Sequence, residues 1–361
     1  MHVYEVRRAP DTSKALMRLS PHAATLFVAI ILLSSLDVGR GAVTLDALGL
    51  YLTKNGYGGA QLIRVGNFYD LPINTNGKAT HLIIDTGSAA TLIYRSSINS
   101  LGLTELKTNV HVSTIFGDSG EFYGTATIRA LTAGNCILTN VPVAVSPALS
   151  DSGRYGNPSG VLGLRELMRF GAVLDLAHQL IYFRPSRPGS ETGQTARLIR
   201  TVNGWRQVAP GKEANQILRS ILIEQGWTPI AFSISHRGPR VPGTINGISC
   251  YLLVDTGAYL TMLDAGFAKR ANIAGVRTRI SAQGIGKSGG DVSLAVFPSL
   301  RIGGYEIKKG SAMVGALDPK AIDRGKDSEV AGLLGIEHLA MNSAIVDFVS
   351  QQLYLRPRGT R

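Results

Sequence analysis

The stretch HLIIDTGSAAT at residues 81–91 decides how this chain folds, because a second version of it, YLLVDTGAYLT, stands at residues 251–261. In each version a short apolar run leads directly into Asp-Thr-Gly. The apolar run predicts a buried strand, and Asp-Thr-Gly predicts a tight turn where that strand ends. The two stretches therefore predict two carboxylates, Asp85 and Asp255, each placed at the end of a strand.

The repetition extends well beyond these stretches. Pairs that match at the spacing of 170 residues include Leu48 and Leu218, Leu52 and Leu222, Gly56 and Gly226, and the dipeptides Asn76-Gly77 and Asn246-Gly247. At a spacing of 172 residues, Val161-Leu162-Gly163 matches Leu333-Leu334-Gly335, and Tyr182 matches Tyr354. Matches that keep their order over most of each half indicate one structural unit written twice.

Local patterns predict the same elements in both units. Each unit opens with a short amphipathic helix, over 44–55 and 213–225, that ends at a glycine. A hairpin with an Asn-Gly turn follows, and then the strand that carries the aspartate. Later come short helices over 164–169 and 336–341 and closing hairpins over 173–183 and 345–355. With four or more short strands in each half, the chain is predicted to be mostly β.

The chain divides into a leader, two units and a linker. Residues 1–42 predict a signal peptide or a membrane anchor, because the apolar run at 26–36 is uncharged but shorter than the roughly 20 residues that span a bilayer. Residues 43–186 and 213–361 form the two units, and 187–212 form a linker rich in Pro, Gly, Ser and Thr. The leader predicts an exported protein, periplasmic or secreted, or one anchored to a membrane through residues 26–36.

Composition excludes several classes of protein. The 361 residues include 44% apolar and 17% charged side chains, which is too apolar for a disordered chain and too weakly charged for a coiled coil. The net charge of +12 comes from scattered Lys and Arg, so we expect no nucleic-acid partner. The only two cysteines, Cys136 and Cys250, exclude a disulfide scaffold but leave open a single bond or two buried thiols. No His pair has metal-ligand spacing, so neither metal nor cofactor is expected.

The two aspartates predict acid–base chemistry. Two similar units packed about a pseudo-two-fold axis bring equivalent residues together near the axis. Two carboxylates in that position compete for one proton, so one is neutral while the other is charged. The charged carboxylate can accept a proton from water, and the neutral one can polarise a carbonyl group. This combination predicts hydrolysis of an amide without a metal or a covalent intermediate.

With these motifs the chain resembles the aspartic proteases, both pepsin-like and retropepsin-like, over roughly 45–185 and 215–357. The resemblance rests on Asp-Thr-Gly-Ser and Asp-Thr-Gly-Ala together with the apolar-apolar-Gly elements at 161–163 and 333–335. It implies a mostly-β fold of two pseudo-symmetric β-barrel lobes with a cleft between them, each lobe here preceded by a short helix. In that family the apolar-apolar-Gly element crosses beside the aspartate loop.

The resemblance also implies roles for individual residues. Asp85 and Asp255 would hold the water that attacks the peptide bond. The supporting loop residues would be Thr86, Gly87, Ser88, Thr256, Gly257 and Ala258. The two threonines would form hydrogen bonds across the loops, and the glycines would permit close approach to the carboxylates. Ser88 would donate to Asp85, whereas Ala258 has no hydroxyl, so we expect Asp85 to ionise more readily than Asp255.

Family members also close hairpin flaps over an extended polypeptide substrate. Candidates are the glycine-containing tips made of Phe116, Gly117, Asp118, Ser119 and Gly120 in the first unit, and Gly286, Lys287, Ser288 and Gly289 in the second. Two ordinary surface hairpins are the alternative. The whole chain is expected to be a monomeric endopeptidase, and a peptide-binding protein that keeps the fold without cleaving is the competing hypothesis. Asp175 and Asp347, a further matched pair, are predicted to cap turns.

Overall fold

The computed structural model describes residues 5–8, 47–146, 157–184, 197–201, 204–208, 212–235, 237–283, 289–319 and 329–357. The predicted leader, including the apolar run at 26–36, lies outside these residues apart from 5–8. Among the described residues, no helix is long and apolar enough to cross a membrane.

The first half of the chain builds an eight-stranded sheet, the core of what we call the N-terminal lobe. Its strands are β3 (Ile63–Val65), β4 (Phe68–Thr75), β5 (Lys78–Asp85), β6 (Leu92–Tyr94), β7 (Leu106–Thr114), β8 (Gly117–Ala133), β9 (Cys136–Ser146) and β10 (Gly160–Gly163). They lie in the order β3-β4-β5-β10-β6-β9-β8-β7, and β4 also pairs with β8, which curls the sheet towards a barrel. Asn76 and Gly77 adopt φ values of 51° and 74° in the two-residue β4–β5 turn, as their sequence predicts.

The second half repeats this arrangement in a nine-stranded sheet, the core of the C-terminal lobe. Its strands are β1 (Glu5–Arg8), β16 (Ser233–Ser235), β17 (Gly238–Ile245), β18 (Ile248–Val254), β19 (Met262–Asp264), β20 (Gly275–Gln283), β21 (Gly289–Ile302), β22 (Tyr305–Gly315) and β23 (Val330–Leu334). Their order is β1-β20-β21-β22-β19-β23-β18-β17-β16, with a further β17–β21 pairing. The predicted turn again has positive φ at Asn246 and Gly247, 49° and 82°.

A third sheet joins the two lobes. Its six strands are β2 (Gly58–Gln61), β11 (Val173–Asp175), β12 (Leu180–Phe183), β15 (Thr228–Ala231), β24 (Ile345–Asp347) and β25 (Gln352–Leu355), in the order β15-β25-β24-β11-β12-β2. At its centre β11 pairs antiparallel with β24, and Leu174 lies opposite Val346, its own counterpart in the repeat. The pseudo-two-fold axis that relates the lobes therefore passes between these two residues.

Six helices complete the described structure: α1 (Ala47–Lys54), α2 (Arg95–Ile98), α3 (Leu164–Arg169), α4 (Lys212–Glu224), α5 (Ala265–Arg270) and α6 (Ile336–Met341). The two helices that head the repeats, α1 and α4, cover one face of the six-stranded sheet. Their matched leucines pack with sheet residues in one buried cluster, which contains Leu48, Leu52, Leu218, Leu222, Tyr182, Trp227 and Tyr354. The prediction of a mostly-β, two-lobe fold with a short helix before each lobe is confirmed.

The remaining predictions about local structure have mixed outcomes. Asp175 and Asp347 cap turns as predicted, since they accept the backbone N–H groups of His178 (3.1 Å) and Val349 (2.9 Å). Cys136 and Cys250 are both buried, and neither forms a disulfide. Within the predicted linker the structure contains a hairpin of β13 (Arg197–Thr201) and β14 (Gly204–Val208).

Candidate active site

The two aspartates occupy equivalent turns at the ends of equivalent strands. Asp85 is the last residue of β5, and Asp255 directly follows β18. The backbone N–H groups of Gly87 and Ser88 both donate to Asp85 Oδ1 at 2.9 Å, and that of Gly257 donates to Asp255 Oδ1 at 2.9 Å. Each carboxylate is thus oriented by its own turn, which leaves its Oδ2 atom available for other contacts.

A parallel strand crosses beside each aspartate loop. In the N-terminal lobe β10 runs parallel to β5, and Gly163 lies opposite Asp85. In the C-terminal lobe β23 runs parallel to β18. The chain leaving each crossing strand is bonded to the loop: Leu164 N–H donates to Ser88 O at 2.7 Å, and Ile336 N–H donates to Ala258 O at 2.9 Å. These crossings have the connectivity that the resemblance implies.

The two threonines bind the loops to each other. Thr86 N–H donates to Thr256 Oγ1 at 3.1 Å, and Thr256 N–H donates to Thr86 Oγ1 at 3.0 Å. Each hydroxyl then donates to the strand of the opposite lobe: Thr86 Oγ1 to Val254 O at 2.6 Å and Thr256 Oγ1 to Ile84 O at 2.7 Å. Four buried hydrogen bonds thus fix one loop relative to the other, so neither aspartate can move without disturbing its partner.

Each glycine of the turns faces the aspartate of the opposite lobe. A Cβ atom on Gly87 would overlap the carboxylate of Asp255, and one on Gly257 would overlap the carboxylate of Asp85. Only glycine fits at either position, because any side chain would push the carboxylates apart. Both aspartates are 0% exposed. The Oδ2 atom of each carboxylate is buried, and among the described residues no donor forms a hydrogen bond with it.

The surroundings favour one shared proton. Burial raises the pKa of Asp85 above its ordinary value, since a charged carboxylate loses its hydration. Burial also raises the pKa of Asp255 well above its ordinary value, and the negative charge of Asp85 adds to the effect. At intermediate pH the pair therefore carries one proton and one negative charge. That Asp85 ionises more readily than Asp255 stays a prediction.

The reason given for that expectation is wrong, because the Ser88 hydroxyl does not donate to Asp85. Ser88 Oγ donates instead to Ala90 O at 2.7 Å. The turn places the Ser88 backbone N–H, not its side chain, within reach of the carboxylate. The two loops are therefore more alike than their sequences suggest. The hydroxyl that Ser88 has and Ala258 lacks bonds within its own loop and not to the aspartate.

The hairpin of β7 and β8 reaches from the N-terminal lobe onto the C-terminal lobe. Its two-residue turn is Ile115-Phe116, so Gly117 begins β8, and Asp118, Ser119 and Gly120 lie within that strand rather than at the tip. Ile115 is fully buried among residues of the C-terminal lobe, a cluster that contains Leu253, Ala258, Met262, Met313 and Leu333. Asp318 N–H donates to Ile115 O at 2.8 Å.

Ile115 was not among the predicted flap residues, because glycines were expected at the tip of the hairpin. The signal that could have found it is an apolar pair, Ile115-Phe116, at the turn of the hairpin. In the C-terminal lobe, the candidate tip residues Gly286, Lys287 and Ser288 lie outside the described residues. Gly289 pairs with Gln283 at the start of β21.

Comparisons with known proteins place the chain in a family. No protein of curated function matches it. Among solved structures it is similar to an aspartic proteinase from Irpex lacteus, with 13% identity over 84% of this chain and 98% of that one and a TM-score of 0.46. It is also similar to a retropepsin-like aspartic protease from Rickettsia conorii, with 17% identity over 36% of this chain and 91% of that one and a TM-score of 0.26. The sequence pattern of the family described as "Aspartyl protease" matches residues 71–165 and 241–338, more than half of the chain. The chain therefore belongs to the aspartyl protease family.

Proposed function

We propose that the chain is an aspartic endopeptidase in which Asp85 and Asp255 activate a water molecule. The observation that carries this proposal is the placement of two buried carboxylates, each oriented by its own turn and each packed against the turn glycine of the other lobe. Burial and mutual repulsion favour the form with a single proton, which contains both an acid and a base.

In the proposed reaction the charged carboxylate accepts a proton from a water molecule, and the oxygen of that water attacks the peptide carbonyl carbon. The neutral carboxyl donates its proton to the carbonyl oxygen, so no negative charge accumulates on the intermediate. The carbon–nitrogen bond then breaks, and a proton passes from the dyad to the departing amine. The hydrogen bonds of Thr86 and Thr256 hold both acids in place throughout.

An extended polypeptide suits the surroundings of the dyad. The hairpin that ends at Ile115 spans from one lobe to the other, and its strands carry backbone groups that could pair with an added strand. Release of Ile115 from the C-terminal lobe would allow a peptide to enter, and renewed closure would exclude water around it. We therefore propose the flap role for this hairpin, and a monomeric enzyme with a polypeptide substrate.

Digestion of unfolded casein from acid to mildly basic pH tests the function. Asp85→Asn and Asp255→Asn should each lower the rate by about 10²–10⁴-fold, since each removes one partner of the acid–base pair. Glu224→Gln, a change at an exposed helical carboxylate, serves as the matched control and should cleave at the wild-type rate. Wild-type protein that binds casein but cuts it at no pH would refute the enzyme and support a binding protein.

We further propose that the enzyme works outside the cytoplasm, because residues 26–36 have the length and character of a signal-peptide core. Cell fractionation and N-terminal sequencing of the native protein test this. A periplasmic or secreted form that lacks residues 1–42 would support cleavage of the leader. An intact N-terminus in the membrane fraction would support an anchor, and an intact cytoplasmic protein would refute export.

A further inference from the structure

Behind each aspartate loop lies an acid–base pair that is adjacent in sequence. In the N-terminal lobe the pair is Arg165 and Glu166, in the first turn of α3. In the C-terminal lobe it is Glu337 and His338, in the first turn of α6. The side chain of Glu166 is fully buried. The side chain of Glu337 is 12% exposed, and that of His338 is 5% exposed. Buried polar groups of this kind need partners, and the partners lead towards the dyad.

In the N-terminal lobe the carboxylate holds the strand that crosses beside Asp85. The hydroxyl of Thr91 donates to Glu166 Oε2 at 2.6 Å, and the Thr91 N–H donates to the same atom at 3.3 Å. Gly163 N–H in turn donates to Thr91 Oγ1 at 3.1 Å. Gly163 is the residue opposite Asp85 in the parallel pairing, so this chain of bonds ends beside the aspartate.

The C-terminal lobe contains the same chain of bonds. The N–H of Thr261 donates to Glu337 Oε1, and Gly335 N–H donates to Thr261 Oγ1 at 2.9 Å. The next residue, Ile336, donates its N–H to the aspartate loop at Ala258 O. Thr91 and Thr261 each lie six residues after the aspartate of their lobe. The hydrogen bonds of the two glutamates therefore support equivalent positions in the two lobes.

The basic member of each pair also has an equivalent contact. Arg165 donates to Glu166 Oε1 at 2.7 Å and to the backbone carbonyl of Pro142. His338 Nε2 lies 3.0 Å from Ser311 O and 3.9 Å from Glu337 Oε1. Pro142 and Ser311 occupy the same place in β9 and β22, because each follows by two positions a residue with positive φ: Asn140 (51°) and Lys309 (53°).

The two pairs are nevertheless reversed in sequence. At the repeat spacing of 172 residues, Arg165 corresponds to Glu337, and Glu166 corresponds to His338. Neighbouring residues of a helix point about 100° apart, so an acid moved by one position does not reach the same threonine without local adjustment. A contact that was only inherited from the duplication would have stayed at its position. Its presence at a shifted position indicates that the contact itself is needed.

We propose that Arg165–Glu166 and Glu337–His338 are equivalent positioning pairs, which hold the crossing strands against the loops of Asp85 and Asp255 and so fix the geometry of the dyad. This inference rests on the proposed proteolytic function. It assigns no contact with substrate to either pair, since both act through Thr91 and Thr261.

The two glutamates differ in their electrostatic surroundings. Burial raises the pKa of Glu337, with only the weaker opposing effects of His338 and Thr261. Glu166 lies against the guanidinium of Arg165 instead. A neutral amide should therefore replace Glu337 well, because glutamine still offers a carbonyl oxygen to Thr261. It should replace Glu166 less well, because the charge-assisted bond to Arg165 is lost.

Kinetics of alanine and glutamine variants test the positioning role. Glu166→Ala and Glu337→Ala should lower kcat by about 10- to 100-fold with little change in KM, since a misplaced dyad still binds peptide. Glu337→Gln should restore most of kcat, and the exposed control Glu224→Gln should match the wild type. Folded alanine variants with wild-type kcat would overturn the proposal and leave both pairs with a purely stabilising role.

Transplanting the reversed order gives a second test that does not depend on the alanine variants. Glu166→His alone removes the carboxylate from the N-terminal lobe and should lower kcat. Adding Arg165→Glu gives that lobe the Glu-His order of its counterpart and should recover activity. A double variant that is no more active than Glu166→His, or that fails to fold, would contradict the equivalence of the two orders.

Amide hydrogen exchange separates this inference from the proposed function. The N–H groups of Gly163 and Gly335 should lose protection in the corresponding alanine variants, whether or not the wild type cleaves casein. Wild-type protein without proteolysis but with this loss would refute the proposed function alone. Unchanged protection in folded alanine variants would refute the positioning pairs alone.

Discussion

The two lobes keep one backbone frame around the dyad but differ in the side chains that surround it. Both contain the same turn, the same crossing strand and the same threonine exchange. On the strands that lead to the aspartates, however, the N-terminal lobe pairs Asp70 with His81 at 2.6 Å. The C-terminal lobe has Arg240 at the position of Asp70, and its guanidinium lies 4.7 Å from the ring centre of Tyr251.

This difference separates what the reaction requires of both lobes from what each lobe can change. Hydrogen bonds that set the distance between the carboxylates occur twice, because each aspartate needs the same support. Charges further along the strands differ: burial raises the pKa of Asp70 to about 6, whereas its counterpart is a cation. The two lobes thus share a symmetric frame around the aspartates, whereas the charges on the strands that lead to the aspartates differ between the lobes.

The largest expected effect concerns the aspartates themselves. Besides losing turnover, Asp85→Asn and Asp255→Asn should each raise the free energy of unfolding at neutral pH, because burial raises the pKa of both carboxyl groups. A raised pKa stabilises the fold below the unfolded-state pKa, and that contribution is lost as pH rises through the folded-state value. The gain from Asn should therefore shrink in acid. Denaturant titrations at acid and neutral pH measure it, and a gain that is the same at both pH values would contradict raised pKa values in the dyad.

Ile115→Ala should weaken the contact between the hairpin of β7 and β8 and the C-terminal lobe. Loss of this buried side chain should weaken docking of the hairpin by about 2–5 kcal/mol. Hydrogen exchange over 106–133 should then be faster. Ile137→Ala, at an isoleucine that is 55% exposed, is the matched control and should change stability by no more than about 0.5 kcal/mol. Similar exchange in both variants would mean that Ile115 does not hold the flap.

Thr86→Val and Thr256→Val test the symmetry of the frame. Each removes a hydroxyl that donates one bond and accepts another, so each should cost about 1–3 kcal/mol, and the two costs should agree closely. Thr86→Ser and Thr256→Ser keep the hydroxyl and should lose far less. Chemical denaturation measures all four variants. A large difference between the two valine variants would show that one lobe carries the support alone.

The smallest expected effect is that of Ser88→Ala. Its hydroxyl serves Ala90 O rather than Asp85, so the pH profile of kcat/KM should stay unchanged while stability falls by about 1 kcal/mol. An acid limb displaced upward by the substitution would mean that the Ser88 hydroxyl helps Asp85 to ionise after all.

Much of the frame could be predicted because local patterns determine it. Asn-Gly dipeptides set the hairpin turns, and apolar runs set the strands before Asp85 and Asp255. The repeat then predicted which residues are equivalent, and equivalence about an axis brought the aspartates together. These steps depend on residues that are close in sequence, or on the repeat itself.

The features that were missed depend on contacts across the fold. The turn at Ile115-Phe116 is placed by burial in the opposite lobe, which no nearby residue reveals. The bond from Ser88 to Ala90 depends on the exact path of the turn. The reversed acid–base pairs escape a comparison of matched positions, since that comparison aligns Arg165 with Glu337 and finds no likeness.

The pairing of Leu174 with Val346 at the centre of the shared sheet has a consequence for each half taken alone. An isolated first half would expose the edge of β11, and the strand that fits this edge has nearly the geometry of β11 itself. Such a fragment should assemble with a second copy of itself through the same antiparallel register. Covalent linkage of the halves would then be a means of letting the two members of an ancestral homodimer diverge.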